Sequence, residues 1–351
     1  MTTPESITQF DPNGPGIKGN LFGLPYTIEE AELVIIPVPW EVTVSYRSGT
    51  AGGPKAILDA SSQVDLCLKN IPDAWRYKVG LLPVSQNHAD ESSKLRVFAS
   101  KHIQAIESRN EAITGGVIID RINEACENLN FYIKTTAQKL LQQGKSVAVV
   151  GGDHSTPLGF MRALSEKYNR FGILQIDAHA DLRKSYEGFT YSHASIMHNA
   201  LKLPSVGRLV QVAIRDYCDE ELDVMARSMG RIMTFFDQDI KEKTFAGETW
   251  DSITDAIINE LPDLVYISFD IDGLDPKLCP GTGTPVPGGL EFDQAVHLIR
   301  KVVLSGRKII GFDLSEVAPT NSEWDANVGA RLLYQLSAWM GISEKRLEYK
   351  T

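Results

Sequence analysis

The chain has 351 residues, of which 43% are hydrophobic and 23% charged, and its formal net charge is −10. This composition is that of a globular protein with a large core, and the acidic balance argues against nucleic acid or an anionic membrane as a partner. The negative charge suits a cationic small molecule, although acidity for solubility alone is the better explanation of it.

The cysteines and the N-terminus indicate a cellular compartment. The four cysteines are far apart and form no CxxC pair, as is typical of a reducing environment. The N-terminus lacks a basic stretch followed by an apolar run, so no secretory signal is expected. No apolar run approaches the ~20 residues of a membrane span. We therefore expect a cytoplasmic protein.

The predicted elements alternate along the chain. Residues 1–30 hold many Pro, Gly, Asn and Asp residues and are predicted to be an irregular N-terminal arm. Near-continuous apolar runs predict parallel strands buried on both faces, at 33–36, 147–150, 173–176, 209–212, 264–267 and 308–312. Amphipathic patterns predict helices at 130–143, 250–260, 292–304 and 328–339. This alternation predicts one doubly wound α/β domain over residues 31–345.

One segment of the predicted domain does not fit the alternation. Residues 80–125 look like an insertion, with a short helix from Lys101 to Ser108 as their one recognisable element. Two of the scattered histidines, His88 and His102, fall in this segment, and we expect them to be surface or packing residues.

Residues able to bind metals follow three of the predicted strands. His154 lies in the sequence Gly-Gly-Asp-His-Ser after the strand that ends at Val150. The sequence Asp-Ala-His-Ala-Asp at 177–181 follows the next strand, and Asp-Ile-Asp at 270–272 follows the strand at 264–267. Because ligand sites of open α/β sheets form outside the carboxyl ends of the strands, we expect these three clusters to meet.

The spacing within these clusters predicts a binuclear metal site. If side chains alternate as along a strand, Asp177, His179 and Asp181 face one point, and the Asp270–Asp272 pair faces it from a neighbouring strand. With His154 this makes four carboxylates and two imidazoles, too much negative charge for an unpaired buried site. Two divalent cations would balance it, and the mixed ligands suit Mn, Ni, Fe, Co or Zn. Taken singly, each motif also fits a solvated loop or a helix cap.

These blocks resemble the ureohydrolase family of arginase and agmatinase. The matching segments are 151–155, 177–182, 268–290, 315–319 and 329–336, and residues 45–57 resemble the family's substrate-side loop. The resemblance implies a three-layer αβα fold with a central, mostly parallel sheet. It also implies two divalent metal ions, manganese with nickel as the alternative, and a homotrimer or homohexamer.

The resemblance also implies a role for individual residues. One metal would be held by His154, Asp177, Asp181 and Asp270, and the other by Asp177, His179, Asp270 and Asp272. The catalytic set would be His193 for proton transfer, Glu316 for binding the guanidinium group, Asp181 for holding the attacking water, and Thr284 for a hydrogen bond to the reacting centre.

The substrate is the least constrained inference. Arginases carry an Asn shortly after the Asp-Ala-His block, whereas this chain has Leu182-Arg183 and resembles agmatinase-type members. We therefore predict hydrolysis of agmatine to urea and putrescine. Alternatives are guanidinobutyrate or guanidinopropionate, whose carboxylate Arg47 or Arg183 could bind, and free guanidine. The sequence leaves three further functions open: an arginase, a non-catalytic paralogue and a binuclear phosphoesterase.

Overall fold

The structure is a computed structural model that describes residues 10–109 and 116–351. Residues 1–9 and 110–115, parts of the predicted arm and of the insertion-like segment, lie outside the described residues. The strands are β1 (Leu33–Val38), β2 (Val79–Leu81), β3 (Ser146–Gly151), β4 (Phe171–Ile176), β5 (Val206–Ile214), β6 (Ile232–Phe236), β7 (Leu264–Asp270) and β8 (Lys308–Ser315). They form one eight-stranded sheet in the order β2-β1-β3-β8-β7-β4-β5-β6, and every pair is parallel.

Helices connect these strands, as parallel pairing requires. They are α1 (Gly53–Ser61), α2 (Gln86–Glu107), α3 (Gly116–Gln142), α4 (Leu158–Lys167), α5 (Ile196–Ala200), α6 (Asp219–Arg227), α7 (Asp237–Phe245), α8 (Trp250–Asn259), α9 (Phe292–Leu304) and α10 (Trp324–Ser343).

The sheet separates two hydrophobic cores. Along β3, Ala148 and Val150 join one core while Val147 and Val149 join the other, because side chains of a strand alternate between its faces. Helices α1, α7, α8, α9 and α10 contribute to the first core, and α2, α3, α4 and α5 to the second. This three-layer arrangement confirms the predicted αβα fold.

The structure differs from the sequence prediction at the edges of the sheet. Strands β2 and β6 were not predicted, because each is a short edge strand and lacks the continuous apolar run of the central ones. The segment 80–125 is mostly helical: α2 spans 22 residues rather than Lys101–Ser108, and α3 already begins at Gly116. The domain limits, 31–345, stay a prediction. Among the described helices, none is both long and apolar enough to cross a membrane.

Candidate metal centre and active-site pocket

The predicted ligands follow strands that are neighbours at the centre of the sheet. The order β3-β8-β7-β4 places the carboxyl ends of these four strands side by side. His154 lies just after β3, Asp177 just after β4, Asp270 ends β7, and Glu316 follows β8. The crevice expected at the carboxyl edge of an open α/β sheet therefore receives side chains from four adjacent strands.

A first group of possible metal ligands consists of His154, Asp177 and Asp270, all buried. The His154 Nδ1 atom lies 3.0 Å from an Asp177 carboxylate oxygen and 3.4 Å from one of Asp270. Asp181, predicted as a further ligand, also lies within 3.0 Å of His154 Nδ1. The structure thus brings together all four residues predicted for one metal.

A second group consists of Asp177, His179 and Asp272. The His179 Nδ1 atom lies 3.2 Å from an Asp272 oxygen and 3.6 Å from an Asp177 oxygen. Asp177 belongs to both groups, which is the arrangement of a carboxylate placed between two metals. Asp270, predicted to reach both metals, is grouped only with His154 and Asp177.

Alternation along extended strands, the predicted reason for this convergence, is wrong. Strand β4 ends at Ile176, and Asp272 lies in a 3-10 turn at Ile271–Gly273. Short hydrogen bonds shape the turns instead: the Asp177 carboxylate accepts the His179 N–H at 2.6 Å, and the Asp270 carboxylate accepts the Asp272 N–H at 2.9 Å. Asp181 has a left-handed backbone with φ of 56°. Local bonding by Asp side chains competes with strand geometry and sets these side-chain directions.

A row of polar side chains, all buried except the partly exposed Thr234, crosses the sheet beneath the ligands. Thr234, Gln211, Gln175, Ser268 and Asp313 occupy paired positions on consecutive strands from β6 to β8. Gln211 Nε2 donates to Gln175 Oε1 at 2.7 Å, and Gln175 Nε2 donates to the Asp177 carboxylate at 2.8 Å. Supporting bonds of this kind orient metal ligands. The visible sign of these residues in the sequence is a single polar residue within an otherwise apolar strand.

The same row fixes the tautomer of His154. The Ser268 hydroxyl donates to Asp313 at 2.9 Å, so its oxygen is left to accept from His154 Nε2, also at 2.9 Å. With the proton on Nε2, the lone pair of neutral His154 lies on Nδ1, the atom that faces the three carboxylates.

The charges of the cluster are unbalanced without a cation. Burial, together with the Asp177 charge, raises the pKa of Asp181 to about 7, and burial with the Asp272 charge raises the pKa of Asp270 well above its ordinary value. Burial also acts to raise the pKa of Asp177, but hydrogen bonds with His154 and His179 outweigh it and the pKa falls. Some carboxylates would therefore be driven towards protonation unless positive charge is supplied.

The donor set fits two divalent cations. His154 Nδ1 and Asp272 Oδ2 are buried and make no hydrogen bond. Other predicted ligand atoms nevertheless lie close to them: an Asp177 oxygen is 3.0 Å from His154 Nδ1, and His179 Nδ1 is 3.2 Å from Asp272 Oδ2. Unsatisfied buried polar atoms of this kind are costly and are usually explained by an ion or water. Imidazole nitrogens and carboxylate oxygens together suit first-row transition metals.

We expect Mn²⁺ to raise the Tm of the metal-free protein, because a cation that binds only the folded state stabilises it and relieves the repulsion among these carboxylates. The gain is about 2.7 kcal/mol when free metal is 100 times its Kd. Calorimetry of the protein after its metal has been removed with a chelator, before and after Mn²⁺ is added, measures this change in Tm. An unchanged Tm together with no bound metal would contradict the binuclear assignment.

A pocket of about 300 Å³ opens beside the two ligand groups. Two of the predicted metal ligands, His179 and Asp181, line it, and segments that follow four of the strands add the other walls. These further lining residues include Ser45 and Tyr46 after β1, Arg183, Tyr186 and His193 after β4, Asp216, Tyr217 and Glu221 after β5, and Thr284 after β7. The predicted catalytic residues His193, Asp181 and Thr284 therefore share one cavity.

His193 and Glu316 lie next to each other at the inner end of this site. His193 Nε2 lies 3.2 Å from the Ser45 hydroxyl, and Nδ1 lies 3.8 Å from Glu316 Oε1. Burial and the neighbouring His179 lower the pKa of His193 to about 3. Glu316 Oε1 accepts the His154 N–H at 2.9 Å, while Oε2 has no hydrogen-bond partner.

Glu316 is buried behind the pocket rather than among its lining residues. Burial, reinforced by the charge of Asp153, raises its pKa well above the ordinary value, and its backbone is left-handed with φ of 68°. Gly283 passes so close that an added Cβ would lie 2.6 Å from Glu316 Oε2. A strained, buried and half-satisfied carboxylate is a common feature of functional sites.

Sequence reasoning missed most of the outer wall of the pocket. Ser45, Tyr186, Asp216, Tyr217 and Glu221 were not singled out. The resemblance marked the segment 45–57 as a whole, but sequence spacing does not show which side chains of separate loops share a cavity. Of the two arginines predicted as carboxylate partners, Arg183 lines the pocket. Arg47 does not, and its guanidinium lies 5.4 Å from the Tyr46 ring.

Comparison with known proteins places these observations among relatives. The sequence model of the Arginase family matches residues 31–338. An N(1)-aminopropylagmatine ureohydrolase of Thermus thermophilus is 31% identical, over 91% of this chain and 92% of the relative. An agmatinase of Neisseria meningitidis is 30% identical over 89% of both chains. The crystal structure of an agmatine ureohydrolase of Thermoplasma volcanium superimposes with a TM-score of 0.71 at 23% identity, over 98% of this chain and 99% of that one.

Proposed function

Because the chain belongs to the arginase family, and is thus a ureohydrolase acting on linear amidines, we propose that its substrate is agmatine. Water adds to the guanidinium carbon, the bond from that carbon to the alkyl nitrogen breaks, and urea and putrescine leave. The relatives above are named for agmatine or its aminopropyl derivative, which supports a substrate of this class.

We propose that the two ligand groups hold a binuclear centre. His154, Asp177, Asp181 and Asp270 would bind one metal, and Asp177, His179, Asp270 and Asp272 the other, with manganese as the proposed metal and nickel as the alternative. When bound, two such cations supply the Lewis-acid chemistry that makes water a nucleophile near neutral pH. We also propose a homotrimer or homohexamer as the assembly.

The proposed roles of the protein's own groups are those that the family resemblance implies, and their positions support them. The Asp181 carboxylate, which lines the pocket, would accept a hydrogen bond from the attacking water. His193 would pass a proton to the departing amine, which cannot leave as an anion. Glu316 would bind the cationic guanidinium with its unpartnered oxygen, and Thr284 would hydrogen-bond the reacting centre.

The charge balance of the outer pocket carries the proposed specificity. Apart from the predicted metal ligands and His193, the charged side chains that line it are one cation, Arg183, and two carboxylates, Asp216 and Glu221. The Arg183 guanidinium stacks 4.7 Å from the Tyr186 ring, and its Nε lies 3.9 Å from a Glu221 oxygen, so its charge is partly countered. A substrate with a cationic tail therefore faces a wall of net negative charge.

The alternative substrate class is a guanidino acid such as guanidinobutyrate. The observation that favours it is the place of Arg183 in the pocket wall, where its guanidinium could pair with a carboxylate in a forked hydrogen bond. Agmatine would instead meet that charge as a repulsion, reduced by Glu221.

A substrate panel tests the proposed specificity. We expect agmatine to have the highest kcat/KM among agmatine, N(1)-aminopropylagmatine, guanidinobutyrate, guanidine and arginine, measured as urea release with Mn²⁺ and with Ni²⁺. Arginine should be poor, because the one cation of the outer wall, Arg183, is already partly countered by Glu221, and an α-carboxylate left without a partner costs ~1–3 kcal/mol of desolvation.

Arg183→Met separates the two substrate classes within the same experiment. It should leave or improve kcat/KM for agmatine, since a cation is removed from the wall, and lower kcat/KM for guanidinobutyrate. If guanidinobutyrate is the best substrate of the wild type and Arg183→Met abolishes that preference, the alternative is right. If arginine is the best substrate, both the agmatine proposal and the guanidino-acid alternative are wrong.

A further inference from the structure

Two loops form much of the pocket wall. The first, residues 41–48 after β1, carries Ser45 and Tyr46, and the second, residues 183–193 after β4, carries Arg183, Tyr186 and His193. The Ser45–His193 contact joins them. Val42, Val44 and Phe189 anchor the two loops in the core, whereas the lining residues Ser45, Tyr46 and Tyr186 stay at least partly exposed. The positions of these lining residues therefore depend on what holds the backbone beside them.

Helix α2 holds the first loop by three hydrogen bonds. The Ser92 hydroxyl, fully buried, accepts the Glu41 N–H at 3.0 Å. One turn later, the Arg96 guanidinium donates to the Val42 carbonyl and to the Ser48 hydroxyl, both at 3.2 Å. Since residues four apart share one face of a helix, a single face of α2 binds both ends of the loop.

The same helix, together with α3, holds the second loop. His102 is buried, and its Nε2 donates to the Glu187 carbonyl at 2.9 Å while its ring packs edge-on against Phe189, with 5.5 Å between centroids. From α3, the Asn123 side-chain oxygen accepts the Thr190 N–H at 2.8 Å. The helical hairpin therefore bonds directly to the backbone of the segment that carries Tyr186 and His193.

The part of the second loop that the hairpin touches is a strained turn. Tyr186 and Phe189 exchange two backbone hydrogen bonds, and the residues between them, Glu187 and Gly188, have φ of 54° and 86°. Left-handed backbone in a non-glycine residue such as Glu187 costs energy and persists only where the surroundings impose it. The His102 bond is made to this residue's carbonyl.

We infer that the α2–α3 hairpin, formed by Gln86–Glu107 and Gly116–Gln142, is a positioning element that sets the two pocket loops relative to the metal groups, and that Arg96, His102 and Asn123 are positioning residues for substrate binding. The contacts named here do not include the predicted metal ligands, which lie at the strand ends. If the loops are loosened, substrate binding must order them again, and this ordering costs binding free energy. Substrate binding should therefore weaken more than turnover slows.

The test uses His102→Leu, Arg96→Met and Asn123→Ser in the full-length, metal-loaded enzyme. We expect each to raise KM for the best substrate of the panel by about 5- to 20-fold, as the loss of a partly buried hydrogen bond predicts, with a much smaller change in kcat and unchanged metal content. His102→Gln, which keeps an N–H donor, should have a KM close to that of the wild type. The use of a guanidino substrate in this test rests on the proposed function.

Hydrogen exchange supplies a readout that does not depend on the substrate. Peptides covering 41–48 should lose protection in Arg96→Met, and peptides covering 183–193 should lose it in His102→Leu and Asn123→Ser. If no guanidino compound is hydrolysed by the wild type, the proposed function fails, whereas the exchange pattern still decides the role of the hairpin.

Two matched controls come from the same hairpin. His88 lies in α2 and packs against Tyr132, with 4.5 Å between the ring centroids, and Arg121 lies in α3 with its guanidinium 5.5 Å from the Phe98 ring. His88→Leu and Arg121→Met should keep wild-type KM and exchange in both loops. Positioning variants that behave like these controls would overturn the inference. Should His102→Leu not fold, Asn123→Ser decides the second loop by itself.

Discussion

Substituting Asp177 with asparagine should remove both metals and lower kcat/KM by about 10³-fold or more, since the bound cations contribute several kcal/mol to transition-state stabilisation. Asp177 is the one residue shared by the two ligand groups, and it lies 3.0 Å from His154 Nδ1 and 3.6 Å from His179 Nδ1. An amide can still bond Gln175 and the turn, but it brings no negative charge between two cations. The variant should also lose the rise in Tm that added metal gives the wild type, because the cations no longer bind the folded state.

Metal content per chain, by elemental analysis after dialysis, should be measured beside urea release. Asp275→Asn is the matched control: it lies in the loop after β7, is partly exposed and belongs to neither ligand group. Two tightly bound metals and full activity in Asp177→Asn would refute the site. Asp270→Ala should show a weaker form of the same loss if Asp270 serves mainly the first group, and an equal loss if it also bridges.

His193→Ala should retain both metals and lower kcat by ~10²–10⁴-fold, the usual contribution of a general acid–base group. His193 lines the pocket, but it belongs to neither ligand group, so its removal leaves the metal ligands in place. Its ring lies between the Ser45 hydroxyl at 3.2 Å and the Glu316 carboxylate at 3.8 Å, beside the pocket in which we propose that the departing amine gains a proton.

Steady-state kinetics and metal analysis together check this expectation. His198→Ala is the control: His198 lies five residues further on, in α5, and is not a lining residue of the pocket. A His193→Ala enzyme with wild-type kcat/KM would show that another group moves the proton. Loss of metal in that variant would show that His193 supports the binuclear centre instead.

The sequence by itself determined the layered fold and the position of the chemistry along the chain. Apolar runs without alternation, such as Val147–Val150, mean strands covered on both faces, and their parallel pairing requires the helices found between them. His154, Asp177 and Asp270 could be named because parallel strands all end at one edge, so residues just after β3, β4 and β7 must approach each other. These inferences need only short-range pattern and the geometry of a parallel sheet.

The tertiary structure decided what depends on contacts between distant segments. The direction of Asp272 and the left-handed Asp181 come from side-chain bonds in turns, which no strand periodicity encodes. The tautomer of His154 depends on Ser268, 114 residues away, and the pocket wall on Glu221 and Ser45, which strand order brings into one cavity. The segment around His102 lacked a sequence motif because its function lies in bonds to the backbone of another loop, and a backbone carbonyl such as that of Glu187 carries no signature in sequence.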